Sequence, residues 1–436
     1  MALKYERPGA PVPATFPYPG TQQGAAAKEL PWQQFFADER LKALIAKALA
    51  NNRDLRIAIL NIEQARAQYD IRRADQLPSV GLNVAGSRTP GAGGGTTTAY
   101  TAGLAFIAWE IDLFGRVASL GEAALAQYLA TEEGRKAAQV TLIASVANAW
   151  LNLAADEELL ELTRQTLATR EESLRLTRLR FENGASSEID FRQAQSLAES
   201  ARALHAQLQR QRAANLNALG LLVGEAVGPD YRVGITTEAM RLPDLPAGTP
   251  SEVLVQRPDV RQAEQQLVSA NANIGAARAA FFPRISLTGG VGTASGDLSG
   301  LFKGGSWGWT VAPSLVQPIF DAGRNRAGLA SAQAGRDIAL AQYERAIQSA
   351  FREVADALAG RATLGDQVQA QAAVVQAEAA RMRLAQLRYE GGVASYLDLL
   401  DAQRSLFAAQ QALVQARLAR LQNQVQLYRA LGGGWS

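Results

Sequence analysis

The chain repeats itself at a constant offset of 208 residues, and that repeat constrains the fold more than any other feature. Arg180-Phe-Glu182-Asn-Gly184-Ala-Ser-Ser187-Glu-Ile-Asp190-Phe-Arg-Gln-Ala194-Gln195 returns as Arg388-Tyr-Glu390-Gly-Gly392-Val-Ala-Ser395-Tyr-Leu-Asp398-Leu-Leu-Asp-Ala402-Gln403, sharing R-x-E-x-G-x-x-S-x-x-D-x-x-x-A-Q. The same offset carries Gly115-Arg116 onto Gly323-Arg324 and Gly224 onto Gly432. Two copies of one unit must each reproduce the same succession of elements.

Each copy opens with a helix, Asp54 to Gln76 and Asp259 to Ala280, stopped at Leu77-Pro78 and Phe282-Pro283, where proline cannot continue a helix. Two strand candidates follow, joined by a loop, then a very long helix, a sharp turn at the repeated motif and a return helix. The expected organisation is an extended arm over 1–31, a first repeat over 32–223, a connector over 224–257 and a second repeat over 258–436. The first repeat holds strands within 79–112, a long helix over 117–182 and a return helix over 187–222. The second holds strands within 284–319, a long helix over 324–390 and a return helix over 395–430. Six prolines from Pro8 to Pro31 keep the arm from folding alone, and Pro229, Pro243, Pro246 and Pro250 mark the connector as irregular.

From Val117 to Glu182 there is no proline, and apolar residues recur every seven: Val146, Leu153, Leu160, Leu167, Leu174, Phe181. The second copy gives Val354, an exception at Arg361, then Val368, Val375, Met382 and Tyr389. Sustained heptads specify helices that supercoil against neighbours, and at ~1.5 Å per residue such a helix is a rod of roughly 100 Å. In the strand candidates, Val80, Leu82 and Val84 alternate with small or polar residues, as do Ile285, Leu287 and Val291, and Trp307, Trp309, Val311 and Leu315. One greasy face and one small face suit a lipid-facing barrel with a wet lumen, with Trp307 and Trp309 at an interfacial girdle. A soluble two-layer sheet shares the alternation. Tyr100 to Asp112 alternates poorly, as either a bulge or an end outside lipid would make it.

Composition removes most chemistry. The 436 residues contain no cysteine and one histidine, His205, so thiol chemistry, disulfides, Cys or paired-His metal sites and Ser-His-Asp triads are excluded. Neither a metal nor a cofactor is expected, and no enzyme. Gly290-Val-Gly292-Thr-Ala-Ser-Gly296 has the wrong spacing for a dinucleotide loop, and Gly91-Ala-Gly-Gly-Gly95 lacks the Lys-Ser/Thr of a phosphate loop and reads as an extracellular loop. Lys+Arg 44 against Asp+Glu 41 leaves +3 with no basic run, so nucleic acid is not a partner. Met1 to Pro8 lacks the apolar core of a signal peptide, and no run approaches the roughly 18–20 apolar residues of a spanning helix.

Four strands cannot close a transmembrane barrel, whose smallest form has about eight, and an open edge in lipid costs several kcal/mol per unpaired group. The chain is therefore expected to share its barrel with copies of itself. A dimer gives eight strands and a filled interior; a trimer gives twelve and room for a pore. About twelve helices at 9–10 Å spacing leave a lumen of roughly 25–30 Å.

The residues Trp109-Glu-Ile-Asp-Leu-Phe-Gly-Arg116, Gln256-Arg-Pro-Asp259, Ala272-Asn-Ile-Gly-Ala-Ala-Arg-Ala-Ala-Phe-Phe-Pro283, Tyr396-Leu-Asp-Leu-Leu-Asp-Ala-Gln403 and Ala430-Leu-Gly-Gly-Gly-Trp435 resemble the TolC family of outer-membrane channels, in particular its OprM-type exit ducts. The resemblance runs from about Tyr5 over nearly the whole chain. It implies a mainly α fold with a shared 12-stranded β-barrel and a coiled-coil α-barrel, built by a homotrimer in outer-membrane lipid of a Gram-negative bacterium. The helical barrel would project into the periplasm and meet a periplasmic adaptor protein and an inner-membrane RND-type transporter, so that drugs and other small molecules leave passively. Such ducts resemble lipoproteins that begin at an acylated cysteine; this chain has no cysteine to carry that lipid. The resemblance also implies a periplasmic gate: narrowing rings at Leu397 and Asp401, with Asp398 and Asp190 in the surrounding acidic network. Arg180, Glu182, Arg388 and Tyr389 would support it. The alternative for Asp190 and Asp398 is that they are simply helix N-terminal residues favoured by the dipole, a reading of equal weight for Asp190. Gly184, Ala185, Gly392 and Val393 would contact the adaptor; tight-turn chemistry alone accounts for the glycines. The alternative is a soluble coiled-coil scaffold or a periplasmic adaptor, which would share the heptads without needing lipid-facing strands.

Overall fold

The computed structural model describes residues 5–18, 27, 30–90, 95–246 and 254–435. Of the loop Gly91–Gly95 only Gly95 lies among them, and Pro250 of the connector lies outside. The helices are α1 Trp32–Phe35, α2 Glu39–Asn51, α3 Arg53–Ala74, α4 Arg116–Glu182, α5 Glu188–Val223, α6 Pro258–Ala279, α7 Arg324–Glu390 and α8 Tyr396–Ala430. The strands are β1 Val80–Pro90, β2 Thr96–Ile111, β3 Arg284–Ser295 and β4 Trp307–Val316. An 18-residue window of α4 reaches a mean hydropathy of 1.2, with 56% of it buried in the protein, as a core helix requires.

The chain divides into two compact units, each drawing on both repeats. The first comprises 1–11, 59–134 and 259–346 and holds the sheet. Its strands run antiparallel in the order β1-β2-β3-β4, so β1 and β4 are outer edges and the sheet is open. Register lines up Leu82, Leu104, Val291 and Trp309 in one row and Ile111, Ile285 and Leu315 in another. These rows share the apolar face, where Leu82 is 75% and Trp309 74% exposed. The opposite face is small: Asn83, Gly103, Gly292 and Gly308 form one of its rows. A Cβ at Gly103 would lie 2.4 Å from the Val291 carbonyl oxygen, and one at Gly292 2.3 Å from that of Ala102, so glycine is required where these strands approach. The weak alternation of β2 has a cause. The register shifts between Phe106 and Trp109, Ala108 sits at φ 54°, and its N–H donates to Thr288 Oγ1 at 3.1 Å. One extra residue moves the apolar phase so that Trp109 rejoins the apolar face.

The motif Trp109 to Arg116 is the joint from strand to helix. Arg116 donates both arms of its guanidinium to Glu110 at 2.7 and 2.6 Å, and Asp112 accepts from the Ala118 N–H at 2.7 Å in the first turn of α4. Part of the arm packs in this unit: Arg7 donates to Glu264 at 2.7 and 2.9 Å and Tyr5 at 3.2 Å, closing over a carboxylate 7% exposed.

The second unit comprises 12–58, 135–258 and 347–436. Its core gathers Phe35, Phe36, Ile45, Trp150, Leu153, Leu219, Val354, Leu358 and Tyr428, with Phe35 stacked on Tyr428 at 4.0 Å between centroids. Two successive carboxylates of α4 hold the connector: Glu157 accepts from the Val233 N–H at 3.1 Å, and Glu158 from the Thr237 N–H and hydroxyl at 3.1 and 2.8 Å. Arg361, the break in the heptads of α7, donates twice to Asp244 of the connector at 2.7 and 2.6 Å. That arginine holds the Asp244 carboxyl below its ordinary range.

Candidate functional site

Both helical hairpins, α4–α5 and α7–α8, have their tips in the second unit, and the repeated motif builds the two turns alike. Gly184 and Gly392 take φ of 70° and 73°, which a side chain would strain. Ala185 N–H donates to the Arg180 carbonyl at 2.7 Å and Val393 N–H to that of Arg388 at 2.9 Å. Ser187 and Ser395 then cap the return helices in complete capping boxes with Asp190 and Asp398. Asp190 accepts from the Ser187 N–H at 3.3 Å and the Ser186 hydroxyl at 3.2 Å; Asp398 accepts from the Ser395 N–H at 3.1 Å and hydroxyl at 2.9 Å. The shared arginine carbonyl, glycine, serine and aspartate of the motif thus encode one hairpin turn, twice.

The structure brings some of the expected residues together. Arg180 donates to the Tyr389 hydroxyl at 2.6 Å and lies 5.9 Å from that ring, joining the hairpins. Tyr389 faces Tyr396 at 5.4 Å, and in the first hairpin Phe181 stacks on Phe191 at 5.6 Å. Among the described residues the side chains of Glu182 and Arg388 make no hydrogen bond. Leu397 and Val393 stand exposed, at 52% and 69%.

Asp401 has a partner that the motif did not announce. Arg381, on α7, donates to Asp401 and also reaches Glu378 at 3.1 Å and Ser405 at 3.2 Å. The bond to Asp401 is the first cause, and Glu378 the second, of an Arg381 guanidinium held more firmly protonated than usual. The available signal was positional: in an antiparallel hairpin, residues about equally far from the turn face each other. The first hairpin has Ser173 and Gln193 at the corresponding positions, so that pair is absent there.

A second residue outside the motif is Arg170 of α4, 7% exposed. It donates to the Leu197 carbonyl at 3.3 Å and lies 5.2 Å from the Phe407 ring of α8. Burial lowers its pKa, with Arg404 adding a like charge. Among the described residues no group of three or more His, Cys, Asp or Glu is arranged to hold a metal ion.

A family model described as outer membrane efflux protein matches residues 44–225 and 249–433, one stretch in each repeat. The antibiotic efflux pump outer membrane protein ArpC of Pseudomonas putida is 47% identical over 443 residues, covering 99% of this chain and 92% of that protein. Outer membrane protein OprJ of Pseudomonas aeruginosa is 46% identical over 447 residues, covering 100% and 93%. Among solved structures, the open state of the Neisseria gonorrhoeae MtrE outer membrane channel superposes with a TM-score of 0.92 at 43% identity, covering 100% of this chain and 98% of that one. An open strand quartet with an apolar face, two matched repeats and relatives aligned nearly end to end lead to one conclusion: the chain belongs to the outer membrane efflux protein family and is an outer-membrane exit duct for efflux.

Proposed function

We propose that the duct works as a homotrimer, as the passive last stage of a tripartite pump whose other parts are a periplasmic adaptor protein and an inner-membrane RND-type transporter. The observation that carries the trimer is the open sheet, with β1 and β4 both outer edges and an apolar face toward lipid. Three copies supply twelve strands, pair every edge and leave an aqueous interior. Relatives named for antibiotic and toluene efflux support small, largely apolar cargo.

The gate lies at the helical tips. Leu397 and Asp401 narrow the passage, a leucine ring excluding ions by dewetting and a carboxylate ring repelling anions. Arg381 ties Asp401 of α8 to α7, and Arg180 ties the first hairpin to Tyr389 of the second, so both bonds oppose spreading of the tips. Asp190 and Asp398 act by fixing the return helices at their first turns, with Glu182 and Arg388 flanking them. The adaptor docks on the exposed turns at Gly184, Ala185, Gly392 and Val393. The test is single-channel conductance of the reconstituted protein: Asp401→Ala raises it several-fold, and an unchanged conductance overturns the gate.

A further inference from the structure

The second unit contains a half-open, mostly apolar pocket of about 260 Å³ away from the hairpin tips. Its walls come from α2, α4 and α8, through Leu41, Trp150, Leu421 and Val425, and its roof is connector residues 235–242, which form turns and no regular element. Protein interiors ordinarily leave few voids larger than a water molecule, and an apolar cavity of about 150 Å³ takes up benzene in preference to water. Here the lining is aromatic and aliphatic. Among the described residues that line it only Asp38 and Arg241 are charged, and both are engaged elsewhere. Asp38 caps α2, accepting from the Arg40 and Leu41 N–H groups at 2.8 and 3.2 Å. Arg241 folds back on the carbonyls of Glu238 and Met240. Among the described residues no unengaged charge faces the space, which disfavours an ionic ligand.

The roof can admit one. It is tied at Thr237 to Glu158, at Glu238 to Arg417 and beyond its end at Asp244 to Arg361, and after Glu238 the stretch Ala239 to Leu242 has no strand or helix to break. Met240 adds an unbranched, polarisable side chain that adapts to aromatic surfaces. We infer that this cavity is a binding site for an uncharged aromatic molecule of about two fused rings, held between Trp150 and the connector. Its occupant bridges the connector to α4 and α8.

The probe is 1-bromonaphthalene. Crystals of the detergent-purified protein soaked in it give bromine anomalous density between Trp150 and Met240. In amphipol, the heavy atom quenches tryptophan fluorescence with a saturable component that Trp150→Phe removes. Ala239→Phe, and the milder Ala239→Leu, fill the cavity; each elutes with wild-type size, lacks the bromine density and weakens the saturable quenching at least tenfold. Absence of bromine density from the wild-type cavity overturns the site. Saturable quenching equally strong in both filled variants overturns it too.

Discussion

The two hairpins share the arginine, glycine, serine and aspartate that build their turns and differ in how the helices above them are held. In the first, α4 buries a line of polar residues at heptad spacing, Thr163, Arg170 and Thr177. In the second, no residue of α7 from 361 to 390 is buried, and a charged cluster of Arg381, Asp401, Glu378 and Ser405 sits on its surface. The difference is a division of labour. A hairpin closed by burial is fixed, because moving it takes the buried Arg170 guanidinium away from the Leu197 carbonyl and the Phe407 ring. The Arg381–Asp401 tie, about half exposed, is released cheaply, since such pairs are worth about 1 kcal/mol or less in water. The proposed gate belongs on the second.

The largest effect expected from breaking this asymmetry is on conduction. Asp401→Ala raises single-channel conductance several-fold, whereas Gln193→Ala at the matching position of the first hairpin leaves it within about twofold; equal effects would erase the division. Next comes stability. Arg170→Ala, which removes a buried cation stacked near Phe407 and opens a void, costs about 2–3 kcal/mol in denaturant unfolding. Arg170→Met, apolar and of similar length, costs less than about 1 kcal/mol. Glu378→Ala, at the same position of the second hairpin, also stays under about 1 kcal/mol.

Where the hairpins are alike, the effects should match. Ser187→Ala and Ser395→Ala each remove one capping box and cost about 1 kcal/mol; unfolding curves that separate them by more than about twofold would contradict a shared turn. The smallest effect is on pH dependence. Asp244 titrates lower in the folded protein than in the unfolded chain because Arg361 donates to it. Its contribution is therefore fully present above the unfolded value of about 4 and is lost as pH falls through the folded value. Between pH 5 and pH 3 the wild type should lose slightly more stability than Asp244→Asn, the pair being half exposed.

Much of the fold was legible because repeats and apolar periodicity are properties of sequence alone. The offset between Gly184 and Gly392 announced two similar hairpins, and prolines at 78 and 283 marked where helices give way to strands. Even the weak alternation of β2 carried information, since the bulge at Ala108 shifts the apolar phase by one residue. What periodicity could not show were polar residues doing the packing. Thr163, Arg170 and Thr177 are polar and stand outside the apolar series from Val146 to Phe181, yet they are buried. Arg361 read as a flaw in a heptad and is an anchor for the connector. Arg381 lay outside the repeated motif, and only the facing of two antiparallel helices brings it to Asp401. The first-turn placement of Asp190 and Asp398 was legible as one of two readings, since the helix dipole favours an acid there; the capping boxes that they close with Ser187 and Ser395 emerged only from the structure.

In the proposed duct each chain supplies four strands, too few to close a barrel alone. Native mass spectrometry of the detergent-purified, conducting protein tests it most directly. A particle of three times the 46.5 kDa chain, about 140 kDa, is the predicted result; a conducting species with the mass of a single chain would contradict it.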